Sequence, residues 1–248
     1  MSERDEEIAS TLPPDLDRLP RRHGFRLRGL EMTRLEGFVD ATFAFAITLL
    51  VIVGEHTPDN VDTLIRAFRN VPVFAASVAV LSIFWRGHWL WSRRYGLEDG
   101  ASIAISWVII FTMLIYVYPL KLLFGGMFYA LSNGFLGNRI GVNSVLQARQ
   151  LFSVYALGFS AISAEILLLN LRAWQLRQPL QLNAREQFLT VAEMRGWCFP
   201  LSIGLLCLVL ALTLPDRYVT SSGWVYMLLI LLVPLHASWR RKRSQQLG

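Results

Sequence analysis

The sequence predicts an all-α integral membrane protein whose chain crosses the bilayer as six transmembrane helices. Apolar residues make up 54% of the 248 residues and charged residues only 17%, so the chain is more apolar and less charged than a typical soluble domain. Apolar runs of about 20 residues, the length that a helix needs to cross a bilayer, recur along the chain. The uneven distribution of Lys and Arg between the connections is a third indication of a multi-pass protein.

The six predicted spans lie at roughly 34–54, 71–92, 102–124, 151–171, 196–214 and 223–239. The fifth and sixth have the cleanest apolar interiors, the first and fourth carry charges toward one end, and the second contains Arg86 and His88. Together they predict a six-span transmembrane domain over residues 31–240. The glycine-rich connection 125–150 is the longest external loop and carries no metal-ligand spacing.

The segments outside this domain are predicted to be tails. Residues 1–30 begin with acidic side chains and contain Pro13, Pro14 and Pro20, and they lack the apolar run of a signal peptide. We expect a disordered cytoplasmic tail there. Residues 241–248 are expected to form a basic cytoplasmic tail.

The Lys and Arg residues indicate the orientation of the chain in the membrane. Eighteen of the 24 lie on the side of the two termini: seven in the N-terminal flank, three between the second and third spans, four between the fourth and fifth, and four in the C-terminal tail. The other six lie on the opposite side. This bias places both termini in the cytoplasm. Basic clusters beside membrane spans indicate topology, so no nucleic-acid partner is expected.

Polar side chains from three predicted spans reach a similar depth near the cytoplasmic surface. They are Arg34 and Asp40 of the first span, Trp85, Arg86 and His88 of the second, and Glu165 of the fourth. Such groups are costly when they face lipid, so we expect one of the arginines to pair with Asp40 or Glu165. His88 should bond to a carboxylate or a carbonyl. Two interpretations stay open: a buried network that fixes how the helices pack, or a proton relay or gating switch in which His88 titrates.

Helical periodicity separates the first span into two faces. At 3.6 residues per turn, one face carries Phe38, Ala41, Phe45, Thr48 and Ile52, with Leu49 at its border. Asp40 lies about 200° around the helix from Phe38, so its charge points away from this face. From periodicity alone, the face is an ordinary packing stripe with one hydroxyl group.

Two stretches of the chain resemble a known family. Residues 34–51 read Arg-Leu-Glu-Gly-Phe-Val-Asp-Ala-Thr-Phe-Ala-Phe-Ala-Ile-Thr-Leu-Leu-Val. This run resembles the signature of the transmembrane protein 175 family, which comprises the endolysosomal potassium channel and its bacterial homologues and has the pattern Arg-x-x-x-Phe-Ser-Asp. Residues 84–88, Phe-Trp-Arg-Gly-His, resemble the family's Phe-Trp-x-x-His segment. The chain departs from the pattern at Val39, where the family has Ser, and at Phe45, where it usually has Ile or Leu.

The resemblance implies a potassium-preferring cation channel in a bacterial inner membrane, built as a homo-oligomeric bundle that is a tetramer by analogy with the family. Since the chain carries one copy of the signature, several subunits have to contribute their first helices to a central pore. The positions that match the family's apolar pore constriction are Phe45, Leu49 and Ile52, and Thr48 matches the position implicated in selectivity. A structural polar network that holds the pore helix is assigned to Arg34, Phe38, Asp40, Trp85, Arg86, His88 and Glu165. The expected partners are further copies of the chain, the lipid bilayer and potassium ions.

The sequence carries no motif of an enzyme. It lacks a nucleotide-binding Gly-rich loop, a His-Glu-x-x-His sequence and a Ser/His/Asp grouping, so we expect no catalytic residues, no metal site and no cofactor besides the permeant potassium ion. Cys198 and Cys207 lie nine residues apart in the fifth span, too far apart for a disulfide. Two alternatives to a channel stay open: a non-conducting scaffold or regulator that retains the fold, and a proton-coupled carrier or intramembrane enzyme that uses Asp40, His88 and Glu165.

Overall fold

The computed structural model describes residues 16–52, 59–138 and 141–245. These residues form seven α-helices, which we number α1 (Arg34–Ile52), α2 (Val61–Arg69), α3 (Val71–Tyr95), α4 (Gly100–Leu131), α5 (Val145–Gln175), α6 (Ala184–Thr213) and α7 (Met227–Gln245). Two 3-10 helices (Leu16–Arg18 and Asp216–Tyr226) and a small antiparallel hairpin of β1 (Arg21–Arg22) and β2 (Phe25–Arg26) complete the described part. The all-α fold class is therefore confirmed.

Five of the described helices are long and apolar enough to cross a membrane, by length and composition. They are α3, α4, α5, α6 and the continuous stretch Asp216–Ser244 that ends in α7. These five correspond to the second through sixth predicted spans. The first predicted span is α1, whose 19 residues extend about 28 Å at 1.5 Å per residue. It carries Arg34, Glu36 and Asp40 near one end and is not among the five.

Several helices extend beyond the apolar runs that predicted them. Helix α6 begins at Ala184, well before the predicted start at 196, because Asn183 and Glu186 form a capping box that satisfies backbone N–H groups of its first turn. Helix α3 ends at Tyr95, and Gly96 follows in the left-handed conformation (φ 60°), which glycine adopts without steric cost. Charged and polar turns are thus added to both ends of the apolar segments.

The core lies where α3, α4, α5 and α6 meet. The ring of Phe84 on α3 contacts the rings of Tyr116 on α4, Phe159 on α5 and Trp197 on α6, with centroid distances of 6.3, 5.4 and 6.1 Å. A Cβ atom at Gly87 would overlap the Trp197 ring, so the absence of a side chain at Gly87 allows α6 to approach α3. Helix α1 packs on the outside of this core, against α3 and α4.

Residues 16–30 are ordered, so the prediction of a disordered tail over residues 1–30 is wrong for this part, while residues 1–15 lie outside the described residues. Phe25 is completely buried and meets the Tyr95 ring edge-on at 5.4 Å. The segment is held by partners far away in sequence, which its local composition does not reveal. At the other end, α7 extends through residues 241–245 of the predicted basic tail, and residues 246–248 lie outside the described part.

Candidate functional site

Helix α1 has one buried face and one exposed face. The buried face carries Val39, Phe43, Ala46 and Leu50, each at most 3% exposed. The exposed face carries Phe38, Ala41, Ala44, Phe45, Thr48 and Val51. Phe45 is 56% exposed and Val51 is 54% exposed, so most of the surface of these two apolar side chains is left uncovered by the described residues. The exposed side of α1 therefore carries four residues of the stripe that periodicity predicted, namely Phe38, Ala41, Phe45 and Thr48, and Phe38 contacts the ring of Trp107 there.

The side chain of Thr48 places the only hydroxyl group on this exposed face. Its Oγ1 donates a hydrogen bond to the backbone oxygen of Ala44 at 3.1 Å. Because the hydroxyl proton is used within the helix, the oxygen lone pairs stay available to a cation or a water molecule on the exposed side.

The predicted constriction residues differ in their positions. Phe45 lies on the exposed face. Leu49 is half-buried at the border of that face and packs partly against the hydrophobic core. Ile52 is the last residue of α1, and its side chain lies outside the described part of the structure. Sequence reasoning missed Val51, which lies three residues beyond Thr48 and so falls on the same side of the helix.

The N-terminal half of α1 is attached to α3 by a hydrogen bond. The indole Nε1–H of Trp85 donates to Oδ1 of Asp40 at 2.8 Å. The predicted pairing of Arg34 or Arg86 with Asp40 or Glu165 is wrong within the chain, since both arginines are exposed and neither has an ion-pair partner in the described residues. An indole N–H takes the place of the guanidinium because the rotation of α3 turns Trp85, and not Arg86, toward Asp40.

The other two polar residues of the predicted network bond to hydroxyl groups. His88 is 1% exposed, and its Nε2 lies 3.1 Å from Oγ of Ser106. The predicted carboxylate or carbonyl partner of His88 is therefore wrong. Glu165 accepts a hydrogen bond of 2.7 Å from Oγ1 of Thr112. Each residue thus connects its helix to α4. Phe38, the remaining network residue, contacts the ring of Trp107 on α4 at 5.1 Å.

Sequence reasoning missed the ion pair at the start of α1. Glu36 is only 2% exposed, and its Oε1 lies 3.2 Å from Nε of Arg93 on α3. Nη1 of Arg93 also donates to the backbone oxygens of Gly29 and Leu30, both at 3.1 Å. The available signal was that Glu36 stands four residues before Asp40, on the same face of the helix, which was already predicted to point into the protein.

A second missed ion pair connects the turn between α3 and α4 to α5. Oδ2 of Asp99 lies 2.9 Å from both Nε and Nη2 of Arg172, and Oγ of Ser102 donates to Oδ1 at 2.6 Å. Burial by itself raises the pKa of Asp99, but the hydrogen bonds from Ser102 and Arg172 and the charge of Arg172 outweigh burial and hold that pKa below its ordinary value.

The described part of the chain offers few side-chain groups for metal binding or redox chemistry. Residues 16–52, 59–138 and 141–245 contain no group of three or more His, Cys, Asp and Glu side chains placed to hold a metal ion. Both cysteines are free thiols, with Cys198 exposed and Cys207 buried.

Comparison with known proteins assigns the chain to a family. The family model described as "Endosomal/lysosomal potassium channel TMEM175" matches residues 34–119. A protein of Marivirga tractuosa named "Potassium channel" is 33% identical over 233 residues, which cover 90% of this chain and 93% of that protein. The chain belongs to the TMEM175 family. The resemblance of residues 34–51 and 84–88 to this family is thereby confirmed, and the chain is a multi-pass integral membrane protein.

Solved structures of TMEM175 proteins share the fold. The crystal structure of the potassium channel MtTMEM175, determined for a threonine-to-alanine variant in complex with a nanobody–MBP fusion protein, gives a TM-score of 0.76 at 31% identity and covers 92% of this chain and 100% of that chain. A structure from Chamaesiphon minutus, described as a lysosomal potassium-selective channel TMEM175 homologue, gives a TM-score of 0.52 at 22% identity over 84% of this chain and 96% of that chain. The matched range of the TMEM175 family model contains every predicted site residue except Glu165.

Proposed function

We propose that this protein is a potassium channel in which α1 from several copies of the chain lines a central pore. The observation that carries the proposal is the exposed face of α1, which is apolar apart from one hydroxyl group on a helix that is otherwise packed into the protein. The names of the relatives support the choice of ion, since both the Marivirga tractuosa protein and MtTMEM175 are called potassium channels.

The pore of this channel requires a homo-oligomer. One chain contributes one α1, and beyond the contact of Phe38 with Trp107 the side chains of Ala41, Phe45 and Thr48 on that helix are exposed in the described structure. Association of several copies around an axis places the stripes opposite each other and removes their apolar side chains from lipid or water. A tetramer is the arrangement that the family resemblance favours.

Thr48 and Phe45 have different roles in the proposed pore. A ring of Thr48 hydroxyl oxygens replaces part of the hydration shell of a passing potassium ion, while apolar rings above and below exclude water when the pore is narrow. Phe45 is larger than the Ile or Leu of the family pattern. We propose that its ring gates the pore by turning toward or away from the axis, with Leu49 and Ile52 completing the apolar constriction.

The direct test of the channel is flux in liposomes. Purified protein is reconstituted into potassium-loaded vesicles, and efflux is followed after dilution into sodium buffer, with protein-free vesicles as the control. We expect rapid, non-saturating potassium efflux and smaller sodium flux. Slow, saturable flux indicates a carrier, and an absence of flux from correctly assembled protein indicates a scaffold; either result contradicts the proposal.

Neither alternative function gains support from the positions of its residues. Asp40, His88 and Glu165 bond to three separate partners, the indole of Trp85 and the hydroxyls of Ser106 and Thr112. In the described part of the chain, no hydrogen bond joins these three residues into a relay. We therefore retain the channel as the single proposed function.

We further propose a bacterial inner-membrane location with both termini in the cytoplasm, as the distribution of Lys and Arg favours. The test replaces exposed residues by cysteine in a Cys198→Ser background. An impermeant thiol reagent added to intact cells should label Gly141→Cys and should not label Lys242→Cys. The reverse pattern contradicts the orientation.

A further inference from the structure

The N-terminal segment, defined here as residues 16–33, is docked on α6 through a buried carboxylate. Glu186 is fully buried, and Arg26 binds it with two parallel hydrogen bonds, Nε to Oε1 at 3.0 Å and Nη2 to Oε2 at 2.8 Å. Nη2 of Arg28 lies 2.9 Å from the same Oε2. Bidentate guanidinium–carboxylate pairs fix orientation as well as distance. Since Glu186 also belongs to the capping box of α6, the segment is attached to a rigid element.

A first route leads from this segment to the beginning of α1. The backbone N–H of Gly29 donates to the backbone oxygen of Arg93 at 3.2 Å, and the Arg93 guanidinium returns a hydrogen bond of 3.1 Å to the oxygen of Gly29. The same guanidinium forms the ion pair with Glu36 in the first turn of α1. Arg93 therefore holds the end of the segment and the start of the helix at once.

A second route runs over two tryptophans. The guanidinium of Arg22 lies 4.9 Å from the centroid of the Trp89 ring, a cation–π distance. Trp89 stacks on Trp85 with centroids 6.2 Å apart and planes 27° apart, and Trp85 donates the hydrogen bond to Asp40. The hairpin is thus connected through α3 to the second turn of α1.

From these two routes we propose that the N-terminal segment positions the pore helix, and that Arg26, Arg28 and Glu186 are positioning residues for conduction although they lie outside the exposed face of α1. The proposal rests on the function proposed above for α1. The docked segment restrains the first two turns of α1, so loosening the segment changes the position of α1 relative to the pore axis.

The test variant should leave the buried ion pairs intact. Glu186→Ala is unsuitable, because it would leave two buried arginines without their carboxylate and disturb folding. In Gly29→Ala, the new Cβ lies 2.5 Å from the backbone oxygen of Ser92, which forces the segment away from α3. Gly141→Ala is the matched control, since no described atom lies within 4 Å of its Cβ. Limited trypsin digestion reports the release, because Arg26 and Arg28 are each only 7% exposed while the segment is docked.

We expect Gly29→Ala to remain assembled on gel filtration, to be cleaved faster after Arg26 and Arg28, and to change potassium flux by about twofold to thirtyfold, the range for mutations in coupled networks. Gly141→Ala should match the unmodified protein. Faster cleavage together with unchanged flux overturns the proposal, because the segment is then only a packed terminus.

The second route has its own pair of variants on neighbouring residues. Arg22→Gln removes the cation from the Trp89 ring, whereas Arg21→Gln removes an exposed arginine that forms an ion pair with Asp17 at 3.5 Å. Arg22→Gln should change flux in the same direction as Gly29→Ala, and Arg21→Gln should not. Equal effects of the two variants rule out the tryptophan route.

A readout independent of conduction separates this proposal from the channel itself. Ala44→Cys, placed on the exposed face of α1 in a Cys198→Ser background, is labelled with a thiol reagent in detergent. We expect the labelling rate to change when Gly29→Ala or Arg22→Gln is added. If the protein shows no flux but the labelling rate changes, the channel function fails and the positioning role stands. An unchanged labelling rate in both variants overturns the positioning role.

Discussion

The hydrogen bond from Trp85 Nε1 to Asp40 Oδ1, 2.8 Å long, connects the second turn of the candidate pore helix to α3. Both residues belong to the stretches that resemble the TMEM175 signature. The bond directs the carboxylate of Asp40 away from the exposed face of α1, so the face keeps its apolar character while the helix is held from behind. Asp40, a polar residue of the motif, therefore helps to hold the helix in position.

This bond gives the first prediction. Asp40→Ala leaves the Trp85 N–H without its acceptor, and hydrogen bonds to charged groups contribute about 1.5–3 kcal/mol. Since Asp40 is only half-buried, we expect the lower end of that range as a loss of stability, with partial loss of the oligomer on gel filtration. Asp40→Asn keeps an acceptor and should be milder. Trp85→Phe removes the donor, and a double variant whose effects are simply additive would show that the two residues do not interact.

The second prediction concerns Phe45 and distinguishes a pore from a packing contact. Phe45→Ala removes a ring that is 56% exposed in the chain, so in an assembled pore it should raise potassium flux several-fold at little cost in stability. Phe43→Ala is the matched control on the opposite face, where the ring is 3% exposed. That change should leave a cavity costing about 3–5 kcal/mol without added flux. Equal flux in Phe45→Ala and the unmodified protein would remove Phe45 from the pore.

Thr48 provides the third prediction, on ion preference. Thr48→Val is nearly isosteric but removes the hydroxyl, so we expect a lower potassium-over-sodium flux ratio with assembly intact. Thr42→Val is a close control, because Thr42 is buried and its Oγ1 likewise donates to a backbone oxygen one turn earlier, that of Phe38 at 2.9 Å. A flux ratio that falls equally in both variants would contradict a specific role for Thr48.

The fourth prediction is a pH dependence of stability from Asp99. Its pKa is lower in the folded protein than the ordinary value of 3.8, so the ionised form is the one that folding favours. The stability from the Asp99–Arg172 pair is therefore fully present above pH 3.8 and is lost as the pH falls through the folded-state pKa. Asp99→Asn should flatten this acid limb of a thermal unfolding series in detergent. Asp62→Asn, an exposed acidic residue on α2, should leave the limb unchanged.

The architecture and the candidate pore helix follow from local properties of the sequence. A helix needs about 20 apolar residues to cross a bilayer, so the apolar runs in the sequence predict the spans. Helical periodicity placed Phe45 and Thr48 on one face and Asp40 on the other, because side-chain direction in a single helix depends only on position along it. The motif around Arg34 and Asp40 then indicated the family.

The tertiary structure alone decided which polar groups meet. Asp40 bonds to Trp85 and not to an arginine, Glu36 pairs with Arg93, and Arg26 reaches Glu186 across 160 residues of sequence. These pairings depend on the rotation and offset of each helix against its neighbours, which are set by the packing of the whole core around Phe84. The order of residues 16–30 has the same cause, since arginines that look like a solvated tail in the sequence become buried only when α6 presents a carboxylate to them.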